Sequence, residues 1–144
     1  MGSYYRHGMQ GRRGTGFTLV ELMVALVVLA VVAALAYPMY TDQMRKGRRA
    51  AAQAFLVDLA SRQQQYLLDA RSYAVGATAL TSLSLSVPPE VAPFYTVTVE
   101  PTAPTSPPTY RLVATPAAGT PQVADGTLTL DQEGAKTRGG SAGW

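Results

Sequence analysis

The chain has 144 residues, 47% of them hydrophobic, a formal net charge of +3 and no cysteine. That length suggests one domain, and the lack of cysteine excludes a disulfide framework and any thiolate metal site. The charge excess is confined to the start. Arg6, Arg12 and Arg13 precede Phe17, whereas from Phe17 onward nine Lys/Arg balance nine Asp/Glu. The basic pI is therefore not a nucleic-acid signal.

Residues 1–16 (MGSYYRHGMQGRRGTG) are Gly- and Arg-rich without apolar periodicity, and read as a short cytoplasmic leader. Arg12 and Arg13 directly before an apolar run fit the positive-inside bias. His7, the one histidine, has no neighbouring ligands that would make it catalytic or metal-binding. Leu22 to Ala36 then contains no polar side chain, and from Phe17 to Met39 the polar groups are Thr18, Glu21 and the Tyr37 hydroxyl. At ~1.5 Å per residue a helix over this stretch crosses a ~30 Å hydrocarbon core. Twelve Leu, Val or Phe residues contribute roughly −4 to −7 kcal/mol to insertion, more than one charge near the helix end costs. Glu21 is either a carboxylate snorkelling at the interface or one that awaits a positive partner.

Pro38 lacks an N–H and clashes one turn back, and Gly47 is a second weak point, so a kink or break in the helix is expected at Pro38 and Gly47. From Ala50 the pattern is amphipathic: Ala52, Phe55, Leu56, Leu59, Tyr66, Leu67 and Ala70 recur at helical spacing. The basic cluster Arg45 to Arg49 reads as a solvated, membrane-proximal face. Residues 75–93 read as a surface loop region. Phe94–Glu100, Tyr110–Thr115 and Gly126–Asp131 read as strands, separated by the Pro-rich stretch 101–109, which can be neither strand nor helix interior. Asp131 to Gly134 reads as a turn, and Ala135 to Arg138 as a short edge strand. Short connections favour an antiparallel meander, whose apolar face seats the Ala52–Ala70 stripe. The expected fold is α+β, a long N-terminal helix on an antiparallel sheet of three to four strands.

Little in the chain points to catalysis. There is no His/Cys ligand set, no Gly-rich phosphate loop between a strand and a helix, and no acid pair at catalytic spacing. The reading is therefore not an enzyme and not a cofactor or metal binder. An anchor, a helix and a small sheet-bearing head suit an assembly component.

At Gly16-Phe17-Thr18-Leu19-Val20-Glu21 the sequence resembles the type IV prepilins: a basic leader ending in Gly, then Phe, with Glu at the fifth place of a long apolar helix. Pro38 falls where pilins carry a helix-breaking proline. Tyr37-Pro38-Met39-Tyr40, Gln63-Gln64-Gln65-Tyr66, Gly126-Thr-Leu-Thr-Leu-Asp-Gln-Glu-Gly-Ala-Lys-Thr137 and Trp144 resemble the PilE-type minor pilins of Gram-negative bacteria. The resemblance implies that prepilin peptidase cuts between Gly16 and Phe17 and methylates the new Phe17 amine. It implies a domain order of leader 1–16, transmembrane and filament-core helix 17–40, amphipathic helix 41–70 and globular head 71–144. It places the chain in the inner membrane as a single pass, N-terminus cytoplasmic and head periplasmic, and then in a surface pilus. Its partners would be prepilin peptidase, major and minor pilins, the inner-membrane assembly platform and membrane lipid. Glu21 would pair with the Phe17 amine of a neighbouring subunit and help set the axial register. Twitching motility and adhesion are the implied roles.

Two departures stand out. Thr15 occupies a place where a Lys or Arg often precedes the cleavage glycine. The C-terminal disulfide usual in the family is absent, because its neighbourhoods read Val123-Ala124-Asp125 and Ala142-Gly143. The resemblance then implies a tail held only by strand pairing, at a loss of ~3 kcal/mol relative to a bridged relative. Two rival readings remain. One is a type II secretion pseudopilin, against which the lack of an acidic calcium loop counts. The other is an exported soluble domain released by signal cleavage near Ala34-Leu35-Ala36.

Overall fold

The structure, a computed structural model, describes residues 16–102 and 107–144. The expectations for the leader at Arg12, Arg13 and Thr15 lie outside the described residues. The chain divides into one unit ending at Met39 and a second from Tyr40 to Trp144. The first is the start of helix α1 (Leu19–Ala70). Every described residue in it is exposed, with Leu19 77% and Leu35 68% accessible. An all-round apolar helix has no polar face to give to water, so this half is built for an apolar surrounding.

α1 continues as helix through Pro38 and Gly47, so the break expected at those two positions does not end it. A proline removes one backbone hydrogen bond and a glycine costs about 1 kcal/mol relative to alanine. Strong helix formers on both sides outweigh that.

In the second unit the buried helix residues are Ala52, Phe55, Leu56, Leu59 and Gln63, one stripe at spacings of three and four. Tyr66 and Leu67 are half-buried and Ala70 is exposed, so the apolar stripe ends earlier than the sequence periodicity suggests. The stripe packs on an antiparallel sheet in the order β1 to β5: Tyr95–Pro101, Tyr110–Pro116, Leu128–Asp131, Lys136–Arg138 and Ser141–Ala142. Alternation sets the faces. Tyr95, Val97, Val99, Tyr110, Leu112, Ala114, Leu128 and Leu130 join α1 in the core. On the opposite face the register places Thr96 beside Thr115, Val113 between Thr98 and Thr129, and Arg111 between Glu100 and Asp131. Burying each of Leu56, Leu59 and Leu112 contributes about 1.5–3 kcal/mol.

The fifth strand exceeds the expected three to four. Its signal is Gly139-Gly140, both at positive φ (56° and 87°), the backbone that a two-residue hairpin turn demands. Read as part of a terminal tail, the pair loses that meaning. The tail is also held by more than strand pairing. The Trp144 indole Nε1–H donates to the Thr129 carbonyl at 3.1 Å, its ring lies 4.4 Å under the Lys136 ammonium, and Gly143 N–H donates to the Lys136 carbonyl at 2.7 Å. The Asp131–Gly134 turn forms as expected, with Asp131 Oδ1 accepting from the Glu133 and Ala135 N–H groups.

Residues 75–93 are more than a surface loop. They hold a short helix, α2 (Ala79–Ser82), and send Ala79, Leu83 and Val91 into the core. Short runs of Ser, Leu and Pro hide this, because isolated apolar residues in a loop have no period to reveal them. The segment is entered through Gln63, fully buried, whose amide donates to the Ala74 carbonyl and accepts the Ala74 N–H at 3.0 Å. A side chain there imitates a strand neighbour and satisfies backbone groups that burial would otherwise strand.

Gly126 (φ +70°) crosses against Gly139, and a Cβ at Gly126 would stand 2.7 Å from the Gly139 Cα. Gly126→Ala is expected to lower head stability by about 1–3 kcal/mol, since strain and backbone overlap add. Thermal or urea unfolding followed by circular dichroism measures this.

Candidate functional site

The candidate site begins where α1 begins. Thr18 closes the helix: its Oγ1 accepts the Glu21 N–H at 3.2 Å, and its carbonyl accepts the Leu22 N–H at 3.2 Å. Thr-x-x-Glu is the spacing of a capping box, a local signal that the sequence reading passed over. Glu21 is thereby fixed in the first turn, where the helix dipole favours a carboxylate. Gly16, Phe17, Thr18 and Glu21 are all exposed. A side chain at Gly16 would meet nothing within 4 Å, and its φ is not in the left-handed range. The chain's own packing therefore gives no reason for glycine at this position. Glu21 is the one charge among Gly16 to Thr41, and no described side chain in that stretch pairs with it.

The cluster Arg45 to Arg49 is only partly a solvated face: Lys46 is exposed, whereas Arg45, Arg48 and Arg49 are half-buried against the head. Arg49 Nη1 donates to Asp125 Oδ1 at 2.7 Å, and Arg45 Nε lies 3.7 Å from the same oxygen. The Asp125 side chain is 3% exposed. Its other oxygen accepts the Tyr95 hydroxyl at 3.3 Å and the Gln122 amide at 3.5 Å. Gln122 also donates to the Arg45 carbonyl at 2.9 Å. Arg48 stacks on Phe94, 3.9 Å from the ring centre. Arg45 and Lys46 both bond Asp42 at 2.7 Å, and the Lys46 hydrogen bond holds the Asp42 carboxyl below its usual range. Two carboxylates, Asp42 and Asp125, thus engage three of the four cations, and the fourth, Arg48, packs on an aromatic ring. Asp125 is the residue that sequence reasoning missed. It lies in the 3-10 turn Pro121–Asp125, far along the chain, with no periodic pattern to point at α1.

No group of three or more acidic, His or Cys side chains gathers to hold a metal among the described residues. The core also holds two tyrosines, Tyr95 and Tyr110. Burial pushes the Tyr95 phenol above its ordinary 10.0, and the Asp125 carboxylate adds to it. Burial likewise raises Tyr110, with Tyr73 beside it edge-on at 4.6 Å.

The helix start and the sheet-backed head are matched by known families. The profile of the "Prokaryotic N-terminal methylation motif" covers residues 11–37, and that of "Type IV minor pilin ComP, DNA uptake sequence receptor" covers residues 38–129. The chain belongs to the type IV pilin family and carries a ComP-type minor pilin domain; members of this family are structural subunits. Among relatives, the type IV wide pilus major component PilA4 of Thermus thermophilus is 32% identical over 78 residues, 54% of this chain and 60% of that protein. The type II secretion system core protein G of Pectobacterium carotovorum is 39% identical over 67 residues, 46% of this chain and 43% of that protein. The chain thus spans about half the length of the curated relatives it matches. A type IV pilin structure from Shewanella oneidensis aligns with a TM-score of 0.46 at 27% identity, covering 65% of this chain and 90% of that one.

Raised folded-state phenol values make the proton favour the native head at alkaline pH. The stability that Tyr95 and Tyr110 contribute is present below about pH 10 and is lost as pH rises through their elevated values. Base titration should therefore show head unfolding by circular dichroism together with a late step of phenolate absorbance. Tyr95→Phe should shrink that late step.

Proposed function

We propose that this chain is a minor subunit of a type IV pilus, cut between Gly16 and Phe17 by prepilin peptidase and methylated at the Phe17 amine. The observation that carries this reading is the Thr18-capped start of α1, with Glu21 the one charge between Gly16 and Thr41 in its exposed, apolar half. A glycine that the fold does not need at position 16 fits a requirement imposed by a processing enzyme. Cutting there leaves a cation at Phe17, four residues from Glu21.

The apolar half of α1, residues 17–40, then serves twice. It anchors the subunit in the inner membrane as a single pass with the head in the periplasm, and it becomes filament core once neighbouring helices replace lipid. In that dry surrounding an unpaired Glu21 is costly, and pairing with a neighbour's Phe17 amine relieves the cost. That sets axial register. Residues 41–70 carry the head, 71–144, which meets other pilins and the outside, supporting pilus biogenesis, twitching motility and adhesion. Pro38 and Gly47 are the places where α1 opens most cheaply. Gly126 to Thr137 and Trp144 favour a PilE-type placement within the minor pilins.

A secretion pseudopilin is the second reading, favoured by the similarity to core protein G. The ComP-type match through residues 38–129 supports a pilus instead. The matched family's description also raises DNA capture. Three of the four cations of the Arg45–Arg49 cluster are engaged by carboxylates of the chain itself, which speaks for a structural subunit. That reading expects double-stranded DNA to bind the full chain no tighter than the nonspecific range of about 10⁻⁴–10⁻⁶ M at physiological salt.

Glu21→Ala separates anchoring from assembly. The variant should insert in the membrane and be cut before Phe17 like the wild type. Its pilus-to-membrane ratio in sheared fractions should fall about tenfold or more, the loss that ~1.4 kcal/mol of pairing represents. Normal incorporation would overturn the register role. Mass spectrometry of the mature N-terminus tests the cut: a start at Tyr37 would instead indicate an exported soluble domain.

A further inference from the structure

Within the unit from Tyr40 onward, the head takes hold of α1 at one turn. The 3-10 turn reaches it twice: Gln122 bonds the Arg45 backbone carbonyl, and Asp125 engages the side chains of Arg45 and Arg49. β1 supports the same carboxylate through Tyr95, itself fully buried. Before this turn α1 gives nothing to the core. Tyr40 is 66% and Met44 42% exposed, and the first helix residue of the core cluster is Ala52. The ion pairs of Asp42 with Arg45 and Lys46 stay within the helix, so they do not tie it to the sheet. Two boundaries therefore differ. Apolar packing secures the helix from Ala52, but the charged grip secures it already from Arg45, about two turns earlier.

We infer that Asp125 is a stop for local unwinding of α1. Opening that starts near Pro38 can run through residues 39–44 without loss of head packing. To go further it must pull Arg45 and Arg49 off a buried carboxylate that has no other cation, which leaves an uncompensated charge out of water. The opening halts there, and residues 45–51 remain helical although none of them is in the buried core; Ala51 packs half-buried against its edge and Arg48 lies over Phe94. The grip is specific to that turn, because Gln122 fixes its backbone while Asp125 fixes its side chains.

Amide hydrogen exchange on the full chain in detergent micelles reads this boundary directly. In the wild type, protection should rise between residues 44 and 49. In Asp125→Asn it should rise only near Ala52, with the amides of residues 46–51 exchanging about tenfold faster or more and those of 55–63 within about twofold of wild type. Arg49→Gln, and Gln122→Met, which keeps the ion pairs, carry the same expectation in weaker form and serve if Asp125→Asn does not fold. Wild-type exchange at residues 46–51 in the folded variants would overturn the assignment. So would an acceleration spread evenly to residue 63, because Asp125 would then be an ordinary core contact. The outcome does not depend on the pilus reading.

Discussion

One helix here must satisfy two solvents, and the rest of the structure follows from that constraint. From Leu19 to Met39, α1 is apolar on every side and buries nothing in its own chain. From Ala52 to Gln63 it is apolar on one side and buries that side against a sheet. A backbone that hydrogen-bonds within itself is the one element that can pass between lipid, protein and water without stranding polar groups. That explains why the chain invests 52 residues in a single helix and keeps its sheet small. A sheet has edges to satisfy. A helix has only its ends, and Thr18 closes the first of them.

The passage between the two regimes is managed by charge. Residues 42–49 are too polar for hydrocarbon and supply no residue to the buried core, Arg48 over Phe94 being an aromatic contact with the head. The head answers with one buried aspartate. Such an arrangement is costly to assemble and costly to break from one side only, which makes it a sharp boundary rather than a strong glue. Asp42, on the more exposed side, pairs with Arg45 and Lys46. Three of the four cations in this run are thus held by carboxylates of the same chain.

Much of this was legible in the sequence, and the legible parts share a cause. The apolar run, the stripe from Ala52, and the strands at Tyr95, Tyr110 and Leu128 are periodic, and periodicity survives in one dimension. The helix start carries its own punctuation in Thr18 and Glu21. What stayed hidden is non-local or single-residue. Asp125 meets Arg49 across 76 positions. Gln63 looks like one of three surface glutamines until Ala74 folds back on it. Ala79, Leu83 and Val91 enter the core from a segment without period. The hairpin at Gly139-Gly140 was spelled out but short enough to pass for a tail. Proline at 38 illustrates the converse, a strong local signal outvoted by the helix around it.

The two faces of the sheet answer to different masters. On the inner face, Leu112 and Leu128 are locked by α1, and any change of volume is felt through the core. On the outer face, Thr96, Thr98 and Thr115 touch little beyond one another, and changes at such positions usually stay within about ±0.5 kcal/mol. Alternation, broken at the buried Val113, therefore largely uncouples what the molecule shows from what holds it together. The outward threonines of such a head can therefore vary while the scaffold stays constant, because each can be replaced without renegotiating its inward neighbours.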